Sequence, residues 1–364
     1  MAFLKSSELF TYVLESSPGV FDASVSATDI NIRLREMDFA NENERDNESS
    51  EYMTGTWFGS DESIVGKKLV TASYSLKVAP GEFTPGVGTA VHKLNYSPLL
   101  ENCGLTMLSL SATAANNTPA TYVFYPEQSN AENTMSIAAV MYDAESDKYT
   151  IRQGAGAVSN FSIAAEGTSI PFTIAFDTMA RSEGVIEAAG NANVAVLDEA
   201  AIMRTVADAM RNTTIKVTDL ATDVETEFCI TSMTFESGNE VNQIECQNND
   251  SGIQSYIITK INPSLVIDPL LKTLSDFDWW SAVSTERFYS VAIDSEFFHL
   301  YIPRAQINAN SLAESNGFMR NELTFRPLIN IDGDYPTWLP VASVPVNVSQ
   351  IPYFLAVEER EAQY

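Results

Sequence analysis

Pro-Leu-Leu occurs twice in this chain, each time directly after a residue able to start a helix. The first occurrence lies in NYSPLLENCGL (residues 95–105), the second in VIDPLLKTLSDF (residues 266–277). Ser97 and Asp268 can each accept from the free N–H groups of a first helical turn, and a proline there gives up no donor the helix needs. The spacing predicts two short helices. One closes at Cys103-Gly104; the other runs through Leu274 and Phe277 toward Trp279-Trp280. A β-branched or alternating run leads into each, GKKLVTASYSLKV (66–78) and SGIQSYIITKINPSLVI (251–267). Further on, residues 159–177 and 310–328 each pair two strand-like runs across a turn. A period of about 170 residues is too long for a solenoid, so the echo reads as two copies of one β-rich domain.

At 364 residues the chain is comfortable as two domains, each able to bury its own core. The boundaries read as an N-terminal arm (1–19) closing at Ser17-Pro18-Gly19, a first domain (20–196), a bridging helix (197–212), a second domain (213–345) and a C-terminal extension (346–364). The bridging helix has Asp198 and Glu199 at its positive end and Ile202, Val206, Ala209 and Met210 as its apolar stripe. In the extension, residues 351–357 are apolar enough to dock on the body or on a neighbour.

Two stretches interrupt the strand pattern. ANENERDNESSEYMTG carries Glu42, Glu44, Asp46, Glu48 and Glu51 against Arg45, and reads as a long polar loop that is either a surface excursion or ordered against a neighbour. APGEFTPGVGTAVHKLNYS reads as a shaped loop in which Phe83, Val87 and Val91 have something to bury against a partner. A third, DAESDK (143–148), reads as a hairpin turn.

Charge narrows the function. The 48 acidic against 21 basic residues leave a formal net charge of −27, a surface that repels nucleic acid phosphates and anionic lipid. Cys103, Cys229 and Cys246 are scattered in apolar or strand contexts and read as buried thiols, with neither a disulfide framework nor a metal site. No segment has the make-up of a signal peptide or membrane span, which implies synthesis in a reducing cytoplasm.

No catalytic signature emerges. His92 and His299 are the two histidines; His299, in FFHLYI, reads as a core or interface ring, and His92 has no Ser or Cys motif near it. NIDGDY (330–335) has two carboxylates around a glycine but not the closing glutamate of a calcium loop, so it reads as a turn. GVGTAV and GAGAVS lack the third glycine of a dinucleotide loop and the lysine of a P-loop. DFDWW (276–280) could stack a sugar or a base, and reads first as core or interface packing. The chain is therefore expected to be no enzyme and to need no cofactor or metal.

A duplicated β-domain with one short helix per copy, a polar loop between early strands, terminal extensions and high acidity resembles the major tail tube protein of long-tailed bacteriophages. The resemblance implies a mainly β fold of two tandem tail-tube-like β-sandwich or barrel domains, each with a short flanking helix. It is similar to the T5-like arrangement, in which fused domains let a trimer supply a pseudo-hexameric ring. It further implies a virion structural protein, assembled in the host bacterial cytoplasm, that self-associates into stacked rings and meets tape measure, distal tail and terminator proteins. The resemblance also implies that DNA passes through the tube without specific binding. Candidate contacts between rings are Glu42, Glu44, Asp46, Glu48, Glu51, Phe83 and Val87. Two readings stand beside this one: a baseplate, distal-tail or host-recognition binding protein, and an acidic β-rich hydrolase.

Overall fold

A computed structural model describes residues 8–27, 34–46, 64–84, 91–110, 120–143, 148–167, 171–189, 213–315 and 317–361. The first half opens with β1 (Glu8–Leu14), β2 (Glu36–Asp46) and β3 (Ile64–Lys77), then a small hairpin, β4 (Gly81–Thr84) and β5 (Val91–Lys93), and helix α1 (Ser97–Glu101). It continues with β6 (Leu105–Leu110), β7 (Thr121–Pro126), β8 (Met135–Asp143), β9 (Lys148–Glu166) and β10 (Thr173–Ala189). The second half holds β11 (Thr214–Asp219), β12 (Val224–Phe228), β13 (Ile230–Glu236), β14 (Asn239–Glu245), β15 (Ile253–Ile261) and β16 (Ser264–Pro269). After α2 (Trp279–Ser284) come β17 (Tyr289–Asp294), β18 (Phe298–Ser315), β19 (Phe318–Pro327) and β20 (Phe354–Glu361).

Neighbouring strands of the first half run β1-β8-β9-β10-β3-β2, every pair antiparallel. Those of the second run β11-β17-β18-β19-β16-β13, again antiparallel throughout. Strand for strand the order is the same, and each half places its helix between its third and fourth shared strand. The halves are thus two modules with one strand order. They differ in their additions: β4 to β7 in the first, β12 and the β14–β15 hairpin in the second. Among the described residues no sheet closes into a barrel within the chain.

The modules share a sheet and a core. Ser232–Glu236 of β13 pairs with Ser162–Glu166 of β9, beyond the end of β8, so that an edge strand of the second module continues the sheet of the first. Beneath this seam Phe161 and Phe235 lie 6.1 Å apart, with Tyr353 edge-on to Phe235 at 4.9 Å. Two further devices hold the halves together. β20 lies between β18 and β7, one strand from each half. The β14–β15 hairpin lies over β9, where Gly156, at φ +61, leaves room that a Cβ would lose by coming within 2.8 Å of the Ser255 Cα.

Several local expectations change. α1 forms, with Pro98 in its first turn and Gly104 beyond its end at φ +78, but Tyr96 is its N-cap and no side chain caps it. The helix expected at Asp268-Pro269 is strand β16 instead. Leu265 and Ile267 point into the core, and the Asp268 carboxylate accepts from the Thr231 hydroxyl at 2.8 Å rather than from a helical turn. The second helix starts ten residues later, capped by Asp278, which accepts from Ser281 N at 3.1 Å. The polar stretch expected as a loop from residue 41 is strand as far as Asp46, because β3 is long enough to pair with it up to Ile64. Part of the Pro/Gly excursion is likewise strand: β4 pairs with β5 and, in parallel, with Glu359–Glu361 of β20. β8 and β9 pair antiparallel with Asp143 opposite Lys148, while the turn residues expected between them, 144–147, lie outside the described residues. The bridging helix expected at 197–212 lies outside the described residues.

Candidate functional site

The seam gives the joined sheet a face that belongs to both modules. Along β9, β10, β13, β16 and β19 buried and less buried residues alternate, so one face packs on the core and the other points away from it. One complete rung of that second face reads Lys77, Thr173, Ala164, Thr234, Val266, Thr324, Ala309, each residue directly opposite the next. The rung beside it reads Glu36, Ser75, Ala175, Ser162, Glu236, Ser264. Small and β-branched side chains make a low, smooth surface across the seam, and carboxylates stand up from it.

Glu36, Asp38, Glu166, Asp177, Glu236 and Glu322 are exposed on this face, against Lys77 and Arg326. Ser73 donates to Asp177 at 2.7 Å, and Asp268 lies 3.5 Å from Arg320, so the basic group nearest the seam's far side is already neutralised. The net effect is a broad, predominantly acidic surface, suited to keeping anions at a distance rather than binding one.

Of the candidate ring contacts, Glu42, Glu44 and Asp46 fall on β2 and Phe83 on β4, whereas Glu48, Glu51 and Val87 lie outside the described residues. The structure does not bring these candidates into one described cluster.

Among the described residues, several other chemically capable groups hold the fold. His299 opens β18 with Nδ1 3.0 Å from Asp294 and Nε2 3.4 Å from Glu358 on β20, the latter at ion-pair range. Burial lowers its pKa, but the two carboxylates outweigh burial and raise it to about 9, so the ring is charged at neutral pH and ties the C-terminal strand down. Glu15 accepts from Gly19 N and Gly156 N, both at 2.8 Å, and from the hydroxyls of Thr134 and Ser136, fastening the segment after β1 to β8 and β9. Buried Glu359 accepts from Ala120 N at 2.7 Å and Tyr122 Oη at 2.6 Å. In NIDGDY the Asn330 side chain accepts from Asp334 N and donates to Asp334 O, which makes the turn.

The thiols divide. Cys103 is buried, and burial pushes its pKa well up. Cys229 is exposed and Cys246 half-buried, which corrects the expectation of three buried thiols: both sit on solvent-facing positions beside strand ends. In DFDWW, Phe277 packs edge-on to Phe228 at 5.1 Å and Trp279 donates to Lys272 O, while Trp280 is 69% exposed. The seam face itself had a sequence signal, the alternation in SIAAE (162–166) and SMTFE (232–236), but nothing in the sequence says that these two strands pair.

No family model matches the chain, and no curated protein does. Among solved structures that match is a chain of the anti-feeding prophage baseplate, determined by cryo-EM with six-fold symmetry imposed. It shares 13% identity, covers 31% of this chain and 87% of its own length, and superposes with a TM-score of 0.26. A likeness of that size decides neither fold nor function. Among the described residues no helix is long and apolar enough to cross a membrane.

Proposed function

We propose that this chain is a virion structural protein that assembles with copies of itself into stacked rings, forming the tail tube of a long-tailed bacteriophage. The observation that carries the reading is the seam: two modules of one strand order joined edge to edge by β13 on β9, with a smooth, carboxylate-bearing face running unbroken across the join. Repeating that junction between chains would close the sheet around a channel and remove its exposed edges. Turned inward, the face would act as a non-stick wall. Three chains would bring 81 excess negative charges to a ring (3 × 27), and screening limits their repulsion of DNA to about 8 Å at physiological salt. Such a wall lowers friction at close range and does not drive transport.

In this reading the residue ranges 20–196 and 213–345 are the two tube domains, and a trimer forms a pseudo-hexameric ring. Contacts between stacked rings fall to Glu42, Glu44, Asp46, Glu48 and Glu51 and to Phe83 and Val87. Tape measure, distal tail and terminator proteins are the expected partners, and the role is structural rather than catalytic. Negative-stain microscopy of the purified protein tests this: rings or tubes that form without added ligand support it, and a monodisperse monomer at every concentration contradicts it.

One observation favours a second reading, a baseplate or distal-tail binding protein. Trp280 is 69% exposed, a large aromatic side chain in solvent that a ring lumen does not need. A discrete oligomer that never stacks, and whose partner binding fails in Trp280→Ala, would favour it.

A further inference from the structure

The seam between the modules is made once inside the chain, yet both of its halves are present a second time. In the internal junction, the last residues of the long strand β9 reach past β8 and accept β13, the edge strand of the other module. The second module has the same long strand. β18 pairs with β17 only as far as Ala305, while its pairing with β19 continues to Ser315. Its final stretch therefore reaches past β17 as β9 reaches past β8. Among the described residues no strand pairs with that outer edge, and Ser311, Leu312, Ala313 and Glu314 are all exposed. The complementary half is β2, which occupies in the first module the place of β13 in the second. β2 pairs with β3, and among the described residues no strand lies on its other side.

We propose that the outer edge of β18 in one copy pairs antiparallel with β2 of a second copy, reproducing between chains the junction that β9 and β13 make within one. The inference rests on the ring reading for its partner and supplies the contact. Three observations bear on the register. Core-facing residues must meet core-facing residues, as Phe235 meets Ile163, or one sheet would turn its apolar side to solvent. That condition admits Met37 opposite Leu312 and Arg35 opposite Glu314, the register that two further contacts favour. Met37 already packs partly on the core, and Leu312 is 49% exposed in the single chain, so the pairing covers apolar surface. Arg35 and Glu314, both exposed, bring opposite charges together across the strands. Toward Phe39 the pairing ends, because the Phe39 carbonyl accepts from the Arg152 guanidinium.

Disulfide trapping tests this. In a Cys229→Ser, Cys246→Ser background, Met37→Cys together with Leu312→Cys places two thiols at directly opposed positions, where Cα separations of about 4.5–5.5 Å suit a disulfide. Mild oxidation is expected to give a ladder of covalent multimers ending in a discrete closed species. Met37→Cys with Ala313→Cys, on opposite faces, is expected to stay unlinked. A second measurement does not depend on oxidation: Arg35→Glu and Glu314→Arg should each weaken self-association several-fold, and the double reversal should recover most of it. Rings or tubes that assemble normally while the 37/312 pair stays unlinked and both reversals are silent would overturn the proposed contact and leave the ring reading intact. A chain that never self-associates would overturn both.

Discussion

Phe235 is where the joining of the two modules can be tested most sharply. It is fully buried on β13, opposite Ile163 of the first module and Leu265 of the second, 6.1 Å from Phe161 and edge-on to Tyr353 at 4.9 Å. Phe235→Ala removes a ring enclosed by both modules, so the cavity cannot collapse onto one side alone; the cost is about 3–5 kcal/mol. Against a total stability of about 5–15 kcal/mol this is a large fraction. With a urea m-value of about 3 kcal/mol per M, the unfolding midpoint falls by about 1 M or more. Amide hydrogen exchange shows where the loss is felt. If the seam makes one cooperative unit, β8 and β10 lose protection together with β17 and β19. Thr234→Ala, on the outward face of the same strand, should change stability by less than about 0.5 kcal/mol. Protection in β8 and β10 that is unmoved by Phe235→Ala would refute the shared core, since each module would then be folding on its own.

Other expectations follow from single contacts. Glu15→Gln keeps the shape but turns an amide NH2 toward donors that now meet a carboxylate oxygen; losing about two charge-assisted bonds should cost about 3 kcal/mol, read as a lower thermal midpoint. His299 has its pKa raised from 6.5 to about 9, so its contribution is fully present below pH 6.5 and is lost as pH rises through 9. Stability should therefore fall by roughly 3 kcal/mol between pH 6 and pH 10 in the parent, and His299→Gln should flatten that part of the profile. Gly238→Ala, whose Cβ would lie 2.0 Å from the Asn262 carbonyl oxygen at φ +60, should prevent folding of the β14–β15 hairpin, seen as proteolysis within residues 239–261. A maleimide should label exposed Cys229 in the native protein and reach buried Cys103 on unfolding.

What could be read from the sequence was local. The long hairpins β9–β10 and β18–β19 announce themselves by alternation over many residues, and their likeness suggested a duplication. Pro-Leu-Leu, the feature that first suggested two copies, proved inequivalent: α1 forms in one copy, whereas in the other Asp268 is occupied by Thr231 and Arg320 and its proline ends a strand. A capping residue starts a helix where its oxygen is not already taken by a neighbouring strand. The charges at Glu42, Glu44 and Asp46 suggested a loop, but β3 extends far enough to hold them as strand. The seam was invisible because one partner of β13, the strand β9, lies in the other module, and pairing between distant strands leaves no mark on either one alone. Its polar face followed once the pairing was known, since period-two alternation then fixes which side chains share a surface.

Cryo-EM of the assembled protein, at a resolution that traces β9 and β13, measures the central claim directly. The expected map is a closed ring in which Ser162, Ala164, Ser232 and Thr234 face the channel, with Glu166 and Glu236 rising from the wall. A ring that turns this face outward, or a particle that remains a single chain, would contradict it.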